Sequence, residues 1–229
     1  MGEAVERARA IDWVRRRVEY EPVDTGLFER ALTHRSAAGA NNERLEFLGD
    51  AVINLTVAQY LYAQYPDAEE GALSRLRATV VSGESLARIA APLELGAALA
   101  LGAGELKTGG FRRESILADA LEAVCGALFL DAGFEATRRI LLRLLAPALD
   151  ALQQAVTVDP KTRLQEWLQG RGLPVPLYSV LKIEGESHAQ RFSVCCEVAA
   201  MQVRAQGEGL SRRRAEQAAA QVLLAQIGV

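Results

Sequence analysis

The chain has 229 residues, 50% hydrophobic and 24% charged, with 19 Gly, 7 Pro and a net charge of −3. That describes a soluble protein of one or two domains with enough apolar material for a sizeable core, and no apolar run is long enough to span a bilayer. The start, MGEAVERARAIDWVRRR, is a charged helix former rather than a signal peptide, and Glu6 stands where a myristoylation sequence needs Ser or Thr. The cysteines are Cys125, Cys195 and Cys196: an odd count, two adjacent, none at ligand spacing. This fits a reduced cytoplasmic compartment and argues against zinc.

Taken in order, residues 1–150 read as helix after helix. Helical periodicity covers 4–20, 26–37, 41–64, 70–80, 83–91, 114–131 and 135–154, and turn residues interrupt it at Pro22, Pro66-Asp67, Gly96, Gly102–Gly104 and Gly109-Gly110. Near Thr157–Pro160 the pattern changes. A helix at 160–170 leads through Gly172 and Pro174 into alternating runs at 177–184, 190–198 and 201–207, then a final helix at 211–227. The fold class is therefore multidomain: an all-α domain over 1–153, a linker over 154–159, and a small α+β domain, α-β-β-β-α, over 160–229. Residues 155–229 hold nine Lys and Arg against seven Asp and Glu, a net of +2, so the remainder carries −5. An acidic part suited to cations thus precedes a more basic part suited to phosphates.

The chemistry lies in two helices. In NNERLEFLGDAVINL (41–55), Glu43, Glu46 and Asp50 share an arc of about 60° on a helix that is apolar nearly all round. Phe47, Ile53 and Val57 lie beside them, and Leu45, Leu48, Val52 and Leu55 cover the other side. Such a helix is expected to be buried, and buried acids need compensation that Arg44, about 100° away from Glu43, does not supply. Asn54, on the same arc as Asp50, is read as a helix-packing amide in preference to a further ligand. In ILADALEAVCGALFL (116–130) the only charges are Asp119 and Glu122, one face apart by i and i+3, with Gly126 leaving room for a neighbouring helix or an ion. One such acid is most often solvated or paired with a distant Arg; two helices with the same anomaly favour a shared cluster. If the helices pack together, Glu46, Asp50, Asp119 and Glu122 cannot all stay ionised without a divalent cation or protonation, and oxygen-only ligands select Mg²⁺ or Mn²⁺.

With these residues in hand, the chain resembles bacterial ribonuclease III along nearly its full length. NERLEFLGD (42–50) matches the family's signature; LTHRS (32–36), EGALSRLRATVVSG (70–83) and LGAGELKTGGFRRESILADALEA (101–123) support it. The resemblance implies a helical nuclease domain that dimerises, followed by a double-stranded-RNA-binding domain. It implies Mg²⁺-dependent cleavage of duplex RNA to 5′-phosphate products with short 3′ overhangs, by a cytoplasmic homodimer with no organic cofactor and no membrane association. Ribosomal-RNA precursors and structured messages would be the substrates. By position, Glu46, Asp50, Asp119 and Glu122 match the catalytic carboxylates, with Asp50 and Glu122 as the catalytic pair, while Glu43 and Glu70 match acids lining the dimer's cleft. His34 is read as structural.

LGAGELKTGGFRRES reads as an RNA-facing loop with Lys107, Arg112 and Arg113 as its cations; the plain alternative is a glycine-rich connection with solvated bases. In the C-terminal segment, Thr162, Gln165 and Glu166 suit 2′-hydroxyls in one minor groove, His188 suits the next, and Arg212, Arg213 and Arg214 at a helix start suit the phosphates between. Nothing there suits base-edge readout. A double-stranded-RNA-binding regulator with a silent nuclease fold would be expected to have lost acids, and all four are present. A DNA nuclease is disfavoured by a domain suited to 2′-hydroxyls and A-form geometry.

Overall fold

The computed structural model describes residues 2–66, 68–185 and 190–229. The chain divides into two compact units, one ending at Leu152 and the other beginning at Gln153. No helix among the described residues is long and apolar enough to cross a membrane.

The first unit is helical. It comprises α1 (Gly2–Trp13), which continues as a π-helical turn over Val14–Val18, then α2 (Thr25–Ala31), α3 (Glu43–Gln64), α4 (Glu70–Val80), α5 (Gly83–Ala90), α6 (Leu95–Ala98) and α7 (Ala103–Lys107). A 3₁₀ turn at Gly110–Arg112 precedes α8 (Glu114–Val158), which breaks at Gly133, where φ is 74° and ψ 173°. Phe28, Leu32, Ile53, Leu61, Leu121, Leu128, Leu141 and Leu145 form the fully buried centre. Two differences from the sequence reading bear on function. First, α2 stops at Ala31 instead of running to 37. The Leu32–His34 backbone pairs instead with Ala100, whose N–H donates to the Leu32 carbonyl at 2.8 Å and whose carbonyl accepts the His34 N–H at 3.0 Å. Second, α3 is not buried all round. Phe47 is 80% and Leu55 56% exposed, and Glu43 and Asp50 are also exposed. Helical periodicity shows which residues share a face but not whether another element covers it.

The crossing of α3 with α8 depends on two glycines. A Cβ at Gly49 would lie 1.7 Å from the Glu122 carbonyl oxygen, and one at Gly126 would lie 2.2 Å from the Leu45 carbonyl oxygen. The two backbones therefore approach more closely than any other residue permits. Elsewhere, Asp131 on α8 accepts hydrogen bonds from Val23 N–H at 2.9 Å, Asp24 N–H at 2.8 Å and the Tyr20 hydroxyl at 2.7 Å. It thereby fixes the chain just before α2, whose N-cap is Asp24.

The second unit contains α9 (Pro160–Gln169), an antiparallel sheet of β1 (Leu177–Glu184), β2 (Arg191–Val198) and β3 (Val203–Gly209) in that order, and α10 (Arg212–Gln226). Leu164, Leu168, Cys196, Ala219, Ala220, Leu223 and Leu224 form its core. The third strand starts two residues later than the alternation suggests, because Ala199–Met201 coil into a 3₁₀ turn and Gln202 takes φ 54°. Of the stretch 154–159, read as linker from sequence, residues 154–158 continue α8 as helix and Asp159 caps α9. All three cysteines are free and buried.

Two stability outcomes follow. In Gly49→Ala the better helix propensity of alanine, about 1 kcal/mol, is outweighed by overpacking against a carbonyl that cannot rotate away. A net loss of about 2 kcal/mol is expected, read as a midpoint lower by about 4–8 °C in calorimetry. For Asp131, burial alone would raise the carboxyl, but the Asp24 and Val23 amides and the Tyr20 hydroxyl hold it below its ordinary value. A depressed carboxylate stabilises the fold above its unfolded pKa, and that contribution is lost as pH falls through the folded value. Urea unfolding of Asp131→Asn should show a deficit of about 1–2 kcal/mol at neutral pH that shrinks toward pH 3.

Candidate active site

The glycine crossing sets one turn of α3 against one turn of α8, and so brings acids about seventy positions apart onto a common patch. Carboxylate oxygens of Glu46, Asp119 and Glu122 all lie within 4.8 Å of one another, and all three residues are half-buried. Asp50 stands outside that tight group on the exposed side, where its Oδ1 accepts a hydrogen bond from Asn54 Nδ2 at 2.8 Å. Asn54 is therefore the group that orients Asp50 rather than a packing amide, and the i, i+4 spacing was its signal in the sequence. Buried Asn42 pins the start of α3: its N–H donates to the Thr33 carbonyl, and its carbonyl accepts from Leu45 and Glu46 N–H, each at 2.9 Å.

Repulsion dominates the electrostatics. Burial, followed by the charges of Asp50, Asp119 and Glu46, pushes the Glu122 carboxyl up to about 7. Burial and the Asp119 and Glu43 charges raise Glu46, and burial raises Asp119. The opposing groups are Arg35 and His34, the latter read from sequence as structural. Arg35 counteracts the shift at Glu46, and His34 and Arg35 do so at Asp119. His34 is 9% exposed, and its Nδ1 accepts the Ser36 N–H at 3.1 Å and contacts Ser36 Oγ at 2.8 Å. Ser36 Oγ in turn accepts Gly102 N–H at 2.9 Å, which ties the His34 segment to the start of the 101–113 loop.

These side-chain charges fall short, since all three clustered acids remain above their ordinary values. The donor set fits a hard divalent cation: three close carboxylates, no thiolate, no imidazole within the triad, and Asp50 beside it. The remaining acids lie outside the triad. Glu43 is exposed, 3.7 Å from Arg35 and hydrogen-bonded to Asn41 Nδ2 at 3.0 Å. Glu70, in the first turn of α4, accepts the Ser74 hydroxyl at 2.8 Å.

The basic residues divide. Lys107 ends α7 and is exposed, and exposed Arg112 lies 5.0 Å from the Phe111 ring centre. Arg113 is instead paired with Glu105 at 3.0 Å and holds the loop's own shape. In the second unit, Thr162, Gln165 and Glu166 share the outer face of α9, with Gln165 and Glu166 exposed. Arg212, Arg213 and Arg214 occupy the exposed first turn of α10, capped by Ser211. His188 lies outside the described residues.

Known proteins share both halves. Residues 24–149 match the ribonuclease-III-like family model, and residues 160–227 match the double-stranded RNA binding motif. Ribonuclease 3 of Vibrio atlanticus is 52% identical over 218 residues, covering 95% of this chain and 97% of that one. Ribonuclease 3 of Methylococcus capsulatus is 55% identical over 205 residues, 89% of each chain. The solved nuclease domain of ribonuclease III from Campylobacter jejuni, studied for flexibility in a region involved in dimer formation, is 46% identical with a TM-score of 0.59, and covers 60% of this chain and 96% of that one. A helical nuclease domain joined to a double-stranded-RNA-binding domain is thus the class of protein that fold and site define. The chain belongs to the ribonuclease III family of endoribonucleases.

The raised Glu122 carboxyl carries a stability consequence. Ionised Glu122 destabilises the fold above about pH 7 and ceases to do so as pH falls toward its unfolded value of about 4.5. In EDTA at pH 8, Glu122→Gln should therefore melt higher than the parent, by about 1 kcal/mol after allowance for solvent screening. Adding Mg²⁺ should raise the parent's midpoint more than the variant's. Differential scanning calorimetry reads both.

Proposed function

We propose that Glu46, Asp119 and Glu122, with Asp50 beside them, hold Mg²⁺, with Mn²⁺ able to substitute, and hydrolyse duplex RNA. The carrying observation is the triad of close carboxylates with too little positive charge around it. When bound, the ion supplies Lewis acidity for the attacking water and the departing oxygen. The chain's residues supply positioning. Glu122, the acid raised furthest, orients the water, and Asp50, aimed by Asn54, completes the acidic patch. Water attacks phosphorus, the bond to the 3′ oxygen breaks, and the proton passes to that leaving oxygen. One product carries a 5′-phosphate and the other a 3′-hydroxyl. Lys107 and Arg112 steady the RNA phosphates next to the site, with Arg113 shaping the loop that carries them.

Residues 1–153 form the nuclease and dimerisation domain in this reading, 154–159 a connection, and 160–229 the RNA-binding domain, with Thr162, Gln165, Glu166, His188, Arg212, Arg213 and Arg214 as its contacts. Phe47, Leu55 and Tyr62, respectively 80%, 56% and 76% exposed, form an apolar stripe along α3 beside the acids. A stripe of this kind supports pairing with a second copy. The two acid sites would then each cut one strand, leaving short 3′ overhangs, and Glu43 and Glu70 would line the cleft between them. Ribosomal-RNA precursors and structured messages in the cytoplasm are the substrates we assign.

The deciding assay is Glu122→Gln with Mg²⁺ on a long RNA duplex. RNA binding should stay near the parent's while cleavage falls about 10²–10³-fold. Cleavage at the parental rate would overturn the metal-site assignment.

A further inference from the structure

The RNA-facing side of the second unit contains a carboxylate that simple electrostatics would exclude. Glu216 follows the three arginines on α10 and is 8% exposed. Its Oε2 receives Lys161 Nζ at 2.5 Å from the first turn of α9, and its Oε1 receives Arg212 Nε at 2.9 Å. Lys161 also lies 4.5 Å from the Tyr178 ring centre on β1, so its ammonium is held from two sides. A second strut runs parallel. Asp159, which caps α9 by accepting Lys161 N–H at 2.9 Å, also accepts Gln217 Nε2 from α10 at 2.6 Å. Burial would raise the Glu216 carboxyl, but the hydrogen bonds from Lys161 and Arg212 outweigh it, so the group stays charged.

We propose that Glu216 is a positioning residue for duplex RNA, setting the spacing between α9 and the phosphate-facing start of α10 by binding Lys161 and Arg212 at once. The physical case is one of competing demands. Two helix N-termini and three cations converge here, Lys161 and Arg212 on Glu216 and Arg213 at 3.9 Å from Asp159, and without counter-charge they would spread apart. Duplex RNA is recognised by shape, through minor-groove contacts and intervening phosphates at fixed separation, so the distance between the two helices is what the domain measures. Arg212 bonds through Nε, which leaves its two terminal nitrogens as phosphate donors in a fixed orientation. Lys161 serves the clamp and not the RNA.

This rests on the reading that α9 and α10 engage duplex RNA, and the experiment separates the two ideas. Binding of the full chain to RNA and DNA duplexes of equal length is measured in EDTA, which prevents cleavage. Parental chain that fails to bind RNA would sink the underlying reading. Glu216→Gln makes the surface more positive by one charge, so charge alone predicts tighter binding. The clamp predicts RNA binding weaker by about tenfold, with a lower ratio of RNA to DNA affinity. Equal or tighter RNA binding by folded Glu216→Gln overturns the proposal. If circular dichroism shows that this variant has lost its second unit, Lys161→Gln decides. Loss of charge lowers affinity for both duplexes alike, whereas loss of the strut lowers the RNA-to-DNA ratio; an unchanged ratio overturns the clamp.

Discussion

The contact between α3 and α8 at Gly49 and Gly126 is the constraint on which the nuclease site depends. Each glycine faces a backbone carbonyl of the other helix at a distance that no side chain tolerates. Because the backbones meet there, the acids one turn away on either helix are forced within reach of each other. Glu46 is three residues before Gly49, and Glu122 four before Gly126, so the crossing point and the acid cluster are one geometric object. Any residue larger than glycine would push the helices apart and relieve the repulsion among these acids.

That repulsion has a cost to the fold. Each of the three clustered carboxyls is raised, chiefly by burial, and the nearest side-chain cations reduce the effect without cancelling it. Functional sites commonly hold strain of this sort, traded against stability. The surroundings are correspondingly rigid. Asn42 fixes the start of α3, Asn54 aims Asp50, and the His34–Ser36–Gly102 chain of hydrogen bonds ties the cationic segment to the basic loop.

The RNA-binding unit repeats the theme on a smaller scale. A Cβ at Gly207 would lie 2.1 Å from the Ala219 amide nitrogen, so β3 and α10 also meet backbone to backbone. This seats α10 against the sheet, and the carboxylates of Asp159 and Glu216 then join it to α9. In one unit acids crowd and repel each other; in the other they are paired with Lys161, Arg212 and Gln217. The same side chain serves opposite ends because its neighbours differ in sign.

Much of this was legible in the residues. The helix series, the change of period near 158, the acids of 41–55 and 116–130, and the meaning of Gly126 all follow from local spacing, which depends only on the geometry of helix and strand. What local spacing does not contain is which face is covered and which distant group comes near. The sequence left Phe47 and Leu55 in a core, although they lie exposed beside the site. It read His34 as structural and gave Arg35 no role, although a backbone pairing with Ala100 ends α2 early and places both residues near Asp119. It named Arg113 and Arg212 as cations without showing that Glu105 and Glu216 pair with them. Sequence alone determined the parts and their chemistry, because periodicity and residue type are local. Tertiary structure decided exposure, pairing and charge balance, because these are sums over neighbours that the chain brings together only by folding.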